Sequence, residues 1–176
     1  MKRFVAVLIG VALLLGTSRS AQAQGSKAYI YAGGGATIPM SDYGDYAKTG
    51  WMGVAGVGFS VAPHVFVQAE GMFGSNKHSD VVGDKTELMG ASASIGYSFG
   101  EDGAKIKPYL FGGAGMLSHK FKPATGTSDS ESKAMFYGGA GLYFPMGKLG
   151  AWVETRFVSR ADTKFVPVMA GLQINL

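Results

Sequence analysis

Residues 164–176 read KFVPVMAGLQINL, and their alternation decides the fold. Val166, Val168, Ala170, Leu172, Ile174 and Leu176 share one face, and Phe165, Pro167, Met169, Gly171, Gln173 and Asn175 share the other. A period of two describes a strand, because successive side chains point to opposite sides of the pleat. One face is unbroken apolar, while the other ends in two amides. A long strand at the end of a chain presents an unpaired edge in a soluble sandwich. In a closed barrel it pairs with the first strand, and both edges vanish.

The other end of the chain has the layout of an export signal. Lys2 and Arg3 precede the apolar run FVAVLIGVALLL (residues 4–15), and Ala21-Gln22-Ala23 is a small-x-small cleavage site. Residues 1–23 are expected to be removed, leaving a short segment, 24–27, before a domain over 28–176. The apolar run is short against the roughly 20 residues of a membrane helix, and no later run approaches that length. Cleavage would take Lys2, Arg3 and Arg19 with it and reduce the formal charge of +4 by three, to +1. That balance provides no basis for nucleic acid as a partner. Cysteine is absent, which excludes disulfides and thiolate metal sites. Charged residues make up 16% of the chain, low for a soluble surface.

Between these ends the same alternation recurs. Strands are predicted over 28–38, 50–61, 64–74, 86–99, 105–117, 133–144, 149–158 and 164–176. The phase is ambiguous in the fifth, which contains Pro108, and in the sixth. The connections after strands one, three and five are long, and those after two, four and six are short. Eight strands of roughly 10–14 residues with alternating connections predict an all-β, closed, antiparallel up-and-down barrel that crosses a membrane. A soluble, lipocalin-like ligand-binding barrel is the rival. It would turn its apolar rows inward and carry charges along the strand exteriors. Strands two and four carry almost no charge in their interiors, which favours the membrane form.

Three features bear on function. The mid-strand charges Glu70, Glu154 and Arg156 fit an ion-paired network in a plugged lumen, with hydration at an aqueous mouth as the alternative. The segments YLFGGAGML (109–117), FYGGAGLY (136–143) and Gly33–Ala36 echo one another. No helix follows any of them to hold a phosphate, so their glycines are read as relieving crowding where side chains fill the lumen. Tyr29, Tyr31, Trp51, Tyr97, Phe99, Tyr143, Phe144 and Phe157 lie near predicted strand ends, as interfacial rings do. Catalysis would need a nucleophile beside a base, and the candidates are Ser118 with His119 and Ser79 with His78. Neighbours on a strand point apart, which argues against the first pair. His64, His78 and His119 are too dispersed in sequence to suggest a metal site, and no cofactor is expected.

The stretches GAWVETRFV (150–158), FVPVMAGLQINL (165–176) and HVFVQAEGMF (64–73), within this layout, resemble the small eight-stranded outer-membrane β-barrel superfamily of Gram-negative bacteria. Its relatives include opacity-type and porin-family barrel domains. The resemblance implies residence in the outer membrane among its lipids. It also implies recognition of the last strand by the barrel assembly machinery, usually through a terminal aromatic; Leu176 stands there instead. A monomer is expected. The implied role is non-enzymatic, structural or surface-interacting, with a lumen too narrow for an open pore. A lipid-modifying enzyme is the second alternative. Loops 40–48, 75–85 and 119–132 would face outside, where Lys77, Lys85, Lys120 and Lys122 would meet anionic lipid head groups or remain simply solvated.

Overall fold

The alternating segments form one antiparallel sheet that closes on itself. The computed structural model describes residues 28–78, 84–101, 103–123, 129–161 and 163–176, so the expected signal peptide, residues 24–27 and Ser79 lie outside the described residues. The strands are β1 (Ala28–Met40), β2 (Gly50–Ala62), β3 (Val65–Lys77), β4 (Lys85–Ser98), β5 (Lys107–Lys122), β6 (Asp129–Met146), β7 (Leu149–Arg160) and β8 (Thr163–Asn175). A short helix, α1 (Asp42–Tyr46), lies in the first long connection. Each strand pairs with its sequence neighbours, and β8 returns to β1 from Lys164 opposite Met40 to Asn175 opposite Tyr29.

The short-turn end is built by compact connections. His64, expected to open the third strand, is instead a turn residue with φ of 65°. Gly147, with φ of 75°, turns β6 into β7, a conformation that costs glycine nothing. The long-connection end, called the outer end below, departs from expectation. Ser75–Lys77, His119–Lys122 and Asp129–Ser132, assigned to loops, belong to strands. Apolar alternation stops before these residues, but a backbone ladder needs only N–H and C=O groups, so pairing continues past it.

The apolar rows face outward. Met89 is 69% exposed and Phe136 65%, and Ile95, Leu110, Leu172 and Ile174 are also exposed. That orientation overturns the soluble ligand-binding barrel, whose greasy rows would enclose the cavity. The outward rows of β3 to β6 turn polar at the outer end, beyond Phe73, Met89, Met116 and Ala134, so these four strands overshoot the apolar band. Among the described residues no helix is long and apolar enough to cross a membrane, and crossing falls to the strands.

The interior is less polar than the sequence suggests. Tyr29, Tyr31, Met52, Met72, Tyr109, Phe111, Met135, Tyr137, Trp152, Phe165 and Met169 fill it. Three rings assigned to the lipid interface are therefore misplaced: Tyr29 and Tyr31 are buried inside, and Tyr143 packs against this core. Trp51, Tyr97, Phe99 and Phe157 are exposed on the outside. The phase of β5 and β6 is also resolved, since odd-numbered residues such as Tyr109, Phe111, Met135 and Tyr137 point in. The repeated glycines make room for these rings. Tyr109 pairs with Gly141, Phe111 with Gly139 and Tyr137 with Gly113 across β5 and β6. A Cβ on Gly113 would come within 2.6 Å of the Tyr137 ring, and one on Gly33 within 2.5 Å of Trp152. An inward ring thus lies over an inward glycine one or two strands away, and the rings fill the lumen.

Candidate functional site

Two polar centres sit inside this packed interior and a third lies on its outer wall. The first is at mid-barrel. Arg156 on β7 donates through Nη1 and Nη2 to Glu70 on β3, and through Nε (3.0 Å) and Nη2 to Glu154. β3 and β7 are four strands apart in either direction around the barrel, so this ion pair spans a diameter. Tyr31 Oη donates to Glu70 at 2.8 Å, Ser92 Oγ donates to Glu70 at 3.2 Å, and Tyr109 Oη donates to Glu154 at 2.8 Å. The guanidinium lies over the rings of Phe111 and Tyr137, at 5.3 and 5.1 Å from their centroids. Glu70, Glu154 and Arg156 are 6%, 8% and 4% exposed. Buried charges persist only when paired and hydrogen-bonded, and each member here is both. The sequence singled out these three residues, but not Tyr31, Ser92, Tyr109 and Tyr137 around them. Parity was the available signal for Tyr31 and Ser92, whereas Tyr109 and Tyr137 lie on the two strands whose phase the sequence leaves ambiguous.

The second centre plugs the outer end. His78 Nε2 and His119 Nε2 approach the Thr86 hydroxyl at 2.8 and 3.2 Å. Residues far apart in sequence are thus brought together, contrary to the expected dispersal; His64 remains at the opposite end. α1 closes over them: Tyr43 is fully buried and stands edge-on to His119, while Tyr46 packs on His78. Asn76 Nδ2 ties the following segment down by donating to Thr37 Oγ1 and to the Lys48 carbonyl, both at 2.9 Å. Arg160 donates to the carbonyls of Leu117 and Glu131. Burial and the nearby Arg160 push the His119 imidazole down to about 4, so the ring is neutral at neutral pH. Ser118 does not join His119. It points outward, its Oγ 3.2 Å from Ser130 Oγ. No group of three potential metal ligands occurs among the described residues.

The third centre is the overshoot of β3 to β5. Lys77 pairs across strands with Lys85, Lys85 with Lys122, and Lys120 with Glu87. Lys122 Nζ and Lys85 Nζ lie 2.7 and 3.2 Å from Glu87 Oε1. Their hydrogen bonds, that of Lys122 foremost, hold the Glu87 carboxyl below the usual carboxylate range. Four lysines with one carboxylate among them make an outward-facing basic rim immediately above the apolar band.

Comparison with curated proteins returns no significant sequence match. The fold is shared with solved structures. Neisserial surface protein A is 14% identical, covering 87% of this chain and 100% of its own, with a TM-score of 0.70. The attachment invasion locus protein Ail of Yersinia pestis, solved with the heparin analogue sucrose octasulfate, is 18% identical over 87% and 100%, with a TM-score of 0.63. The N-terminal β-barrel domain of Pseudomonas aeruginosa OprF is 17% identical over the same shares, with a TM-score of 0.54. The family model described as the outer membrane protein beta-barrel domain matches residues 9–163. With its outward apolar wall and closed eight-stranded sheet, this chain belongs to that outer-membrane β-barrel family.

Proposed function

We propose that the protein is a non-enzymatic barrel with a plugged lumen that acts through its outer surface, where Lys77, Lys85, Lys120 and Lys122 hold phosphorylated lipid head groups. The observation that carries this reading is the diametric Glu70–Arg156–Glu154 bridge within a core of rings. Transport would require that bridge to break and the rings to move aside, so function falls to the exterior. The basic rim sits where head groups begin, and a juxtamembrane lysine is worth about 1 kcal/mol toward an anionic surface. The Thr86 hydroxyl has two imidazoles but is covered by α1, which supports a packing role over a nucleophilic one. β8, with its outward apolar row, is the segment we assign to the assembly machinery.

The complex of Ail with a heparin analogue prompts a second source for the same anion chemistry, a sulfated glycan. The position of the lysines next to the apolar wall favours the lipid. The experiment is to reconstitute the folded protein and measure conductance together with retention of a bisphosphorylated lipid in native mass spectrometry. No conductance steps are expected, and replacing all four lysines by glutamine should strip the lipid. Retention unchanged by those replacements would overturn the assignment. Tight binding of sucrose octasulfate in detergent, lost in the same variant, would favour the glycan.

A further inference from the structure

Strand register brings two histidines to one point at the outer end. Thr86 on β4 stands opposite Asn76 on one side and Phe121 on the other. His78 and His119 each lie two residues along from those partners, so all three side chains share the lumen face. Both Nε2 atoms converge on Thr86 Oγ1, at 2.8 and 3.2 Å. A hydroxyl has one proton to give, so it donates to one ring and accepts from the other. One nitrogen lone pair therefore already points at this focus. Tyr46 and Phe121 hold the His78 ring, at 5.3 and 5.1 Å between centroids. Both imidazoles are only half-buried, which leaves them an approach from the outer side.

The oxygen atoms beside them are underused. Tyr43 is fully buried with its ring edge-on to His119, 5.7 Å between centroids, yet its Oη has no hydrogen-bond partner among the described residues. Asn76 is fully buried too, and its Oδ1 is also without a partner among them, although its Nδ2 makes two bonds. Buried polar atoms are nearly always satisfied, and an orphan calls for a water, an ion or another ligand. Two such orphans flank the paired imidazoles.

We propose that His78 and His119, with Tyr43 and Thr86 as oxygen donors, form a binding site for a divalent transition-metal ion, copper(II) above all. Each ring ligates through Nε2 as its Nδ1–H tautomer, so the ring that gives its Nε2–H to Thr86 moves that proton to Nδ1. Imidazole suits copper, zinc and nickel alike, and copper(II) binds a given nitrogen–oxygen set most tightly of the three. Among the described residues no acidic side chain or further histidine completes a trio with these two, so the ion of highest intrinsic affinity is the one that stays. Arg160 repels a cation here, and Glu131, whose Oε2 lies 3.6 Å from Arg160 Nη2, offsets it. Once bound, the ion ties α1 to β3, β4 and β5 and fastens the plug. The site faces inward and is independent of the lysine rim, which faces outward.

The experiment titrates copper(II) alone into the untagged chain, folded in lipid nanodiscs after treatment with a chelator. A single equivalent should bind, and its electron paramagnetic resonance spectrum should show splitting from two imidazole nitrogens. His78→Gln and His119→Gln should each weaken binding by more than about 100-fold, because even residues that only support a ligand cost about 10–100-fold. His64→Gln, at the opposite end, should change nothing. Tyr43→Phe removes only the orphan oxygen, so it should weaken copper binding by about tenfold while unfolding without metal shows no loss of stability. A phenol kept for packing alone would leave the copper affinity of that variant unchanged, and that result would remove Tyr43 from the site. Absence of stoichiometric binding, or a spectrum with a single nitrogen ligand, would overturn the proposal without any variant. Undiminished binding in the variant carrying both histidine replacements would overturn it too.

Discussion

The two polar centres inside the barrel solve the same problem by opposite means. At mid-barrel, three full charges are buried and held by one another, with phenol and serine hydroxyls on the carboxylates. At the outer end, neutral groups do the work: two imidazoles on one threonine, an asparagine on a threonine and a carbonyl, and tyrosine rings as a lid. The difference follows from depth. Mid-barrel is surrounded by hydrocarbon and far from water, so a polar group there needs a strong, permanent partner. The outer end lies above the apolar band, where α1 is one short segment away from solvent. The mid-barrel centre is locked by its own opposite charges, whereas the neutral imidazole centre at the outer end can be disrupted by protons.

The largest expected effect comes from splitting the triad. Arg156→Met leaves two carboxylates buried without their cation and should cost about 3–5 kcal/mol, measured by equilibrium unfolding in lipid vesicles. Adding Glu70→Gln and Glu154→Gln to Arg156→Met should recover most of that loss. Equal destabilisation in the triple variant would mean that the charges themselves, and not their mismatch, are needed. Next, Ala93→Lys or Val168→Lys places a charge on the outward face, where no carboxylate waits, and should cost about 2–4 kcal/mol by the same assay. A neutral result would remove these residues from the hydrocarbon. At the outer end Asn76→Ala should cost about 1–2 kcal/mol through two lost side-chain hydrogen bonds. It should speed amide exchange at Lys48 and His78 while Arg156 and its neighbours stay protected.

The smallest global effect is that of acid. The folded value for His119, about 4, lies below its unfolded value of 6.5, so the unfolded ring binds protons first. The contribution of the neutral ring is complete above pH 6.5 and is lost as pH falls toward 4. Arg160 and His78 oppose the added charge, and Glu131 favours it. Exchange at Lys48 and His78, corrected for intrinsic rates, should accelerate over that interval, and His119→Gln should flatten the response. Acceleration at mid-barrel instead would break the contrast between the two centres.

Much of the architecture was legible beforehand. The alternation in 164–176 and 86–99 identifies strands and their faces, and the spacing of long and short connections makes them a meander of hairpins. The charges at Glu70, Glu154 and Arg156 stand out because no other Asp, Glu, Lys or Arg lies on those rows within the predicted strands 64–74 and 149–158. Tyr29, Tyr31 and Tyr143 misled, since a tyrosine suits a lipid interface and a packed lumen equally well. The strand ends at Lys122 and Asp129 were missed because polar residues carry no alternation to read.

What the amino-acid order alone determined, then, was periodicity: which residues share a face, how many strands there are, and which rows are greasy. Tertiary structure alone decided what meets what. Whether His78 and His119 share Thr86, whether Arg156 reaches across to Glu70, and whether β6 outruns β7 all depend on inter-strand register and on closure of the sheet. Those arise from hydrogen bonds between backbone groups that are the same at nearly every position, so side-chain identity along one strand carries almost no record of its neighbour's offset.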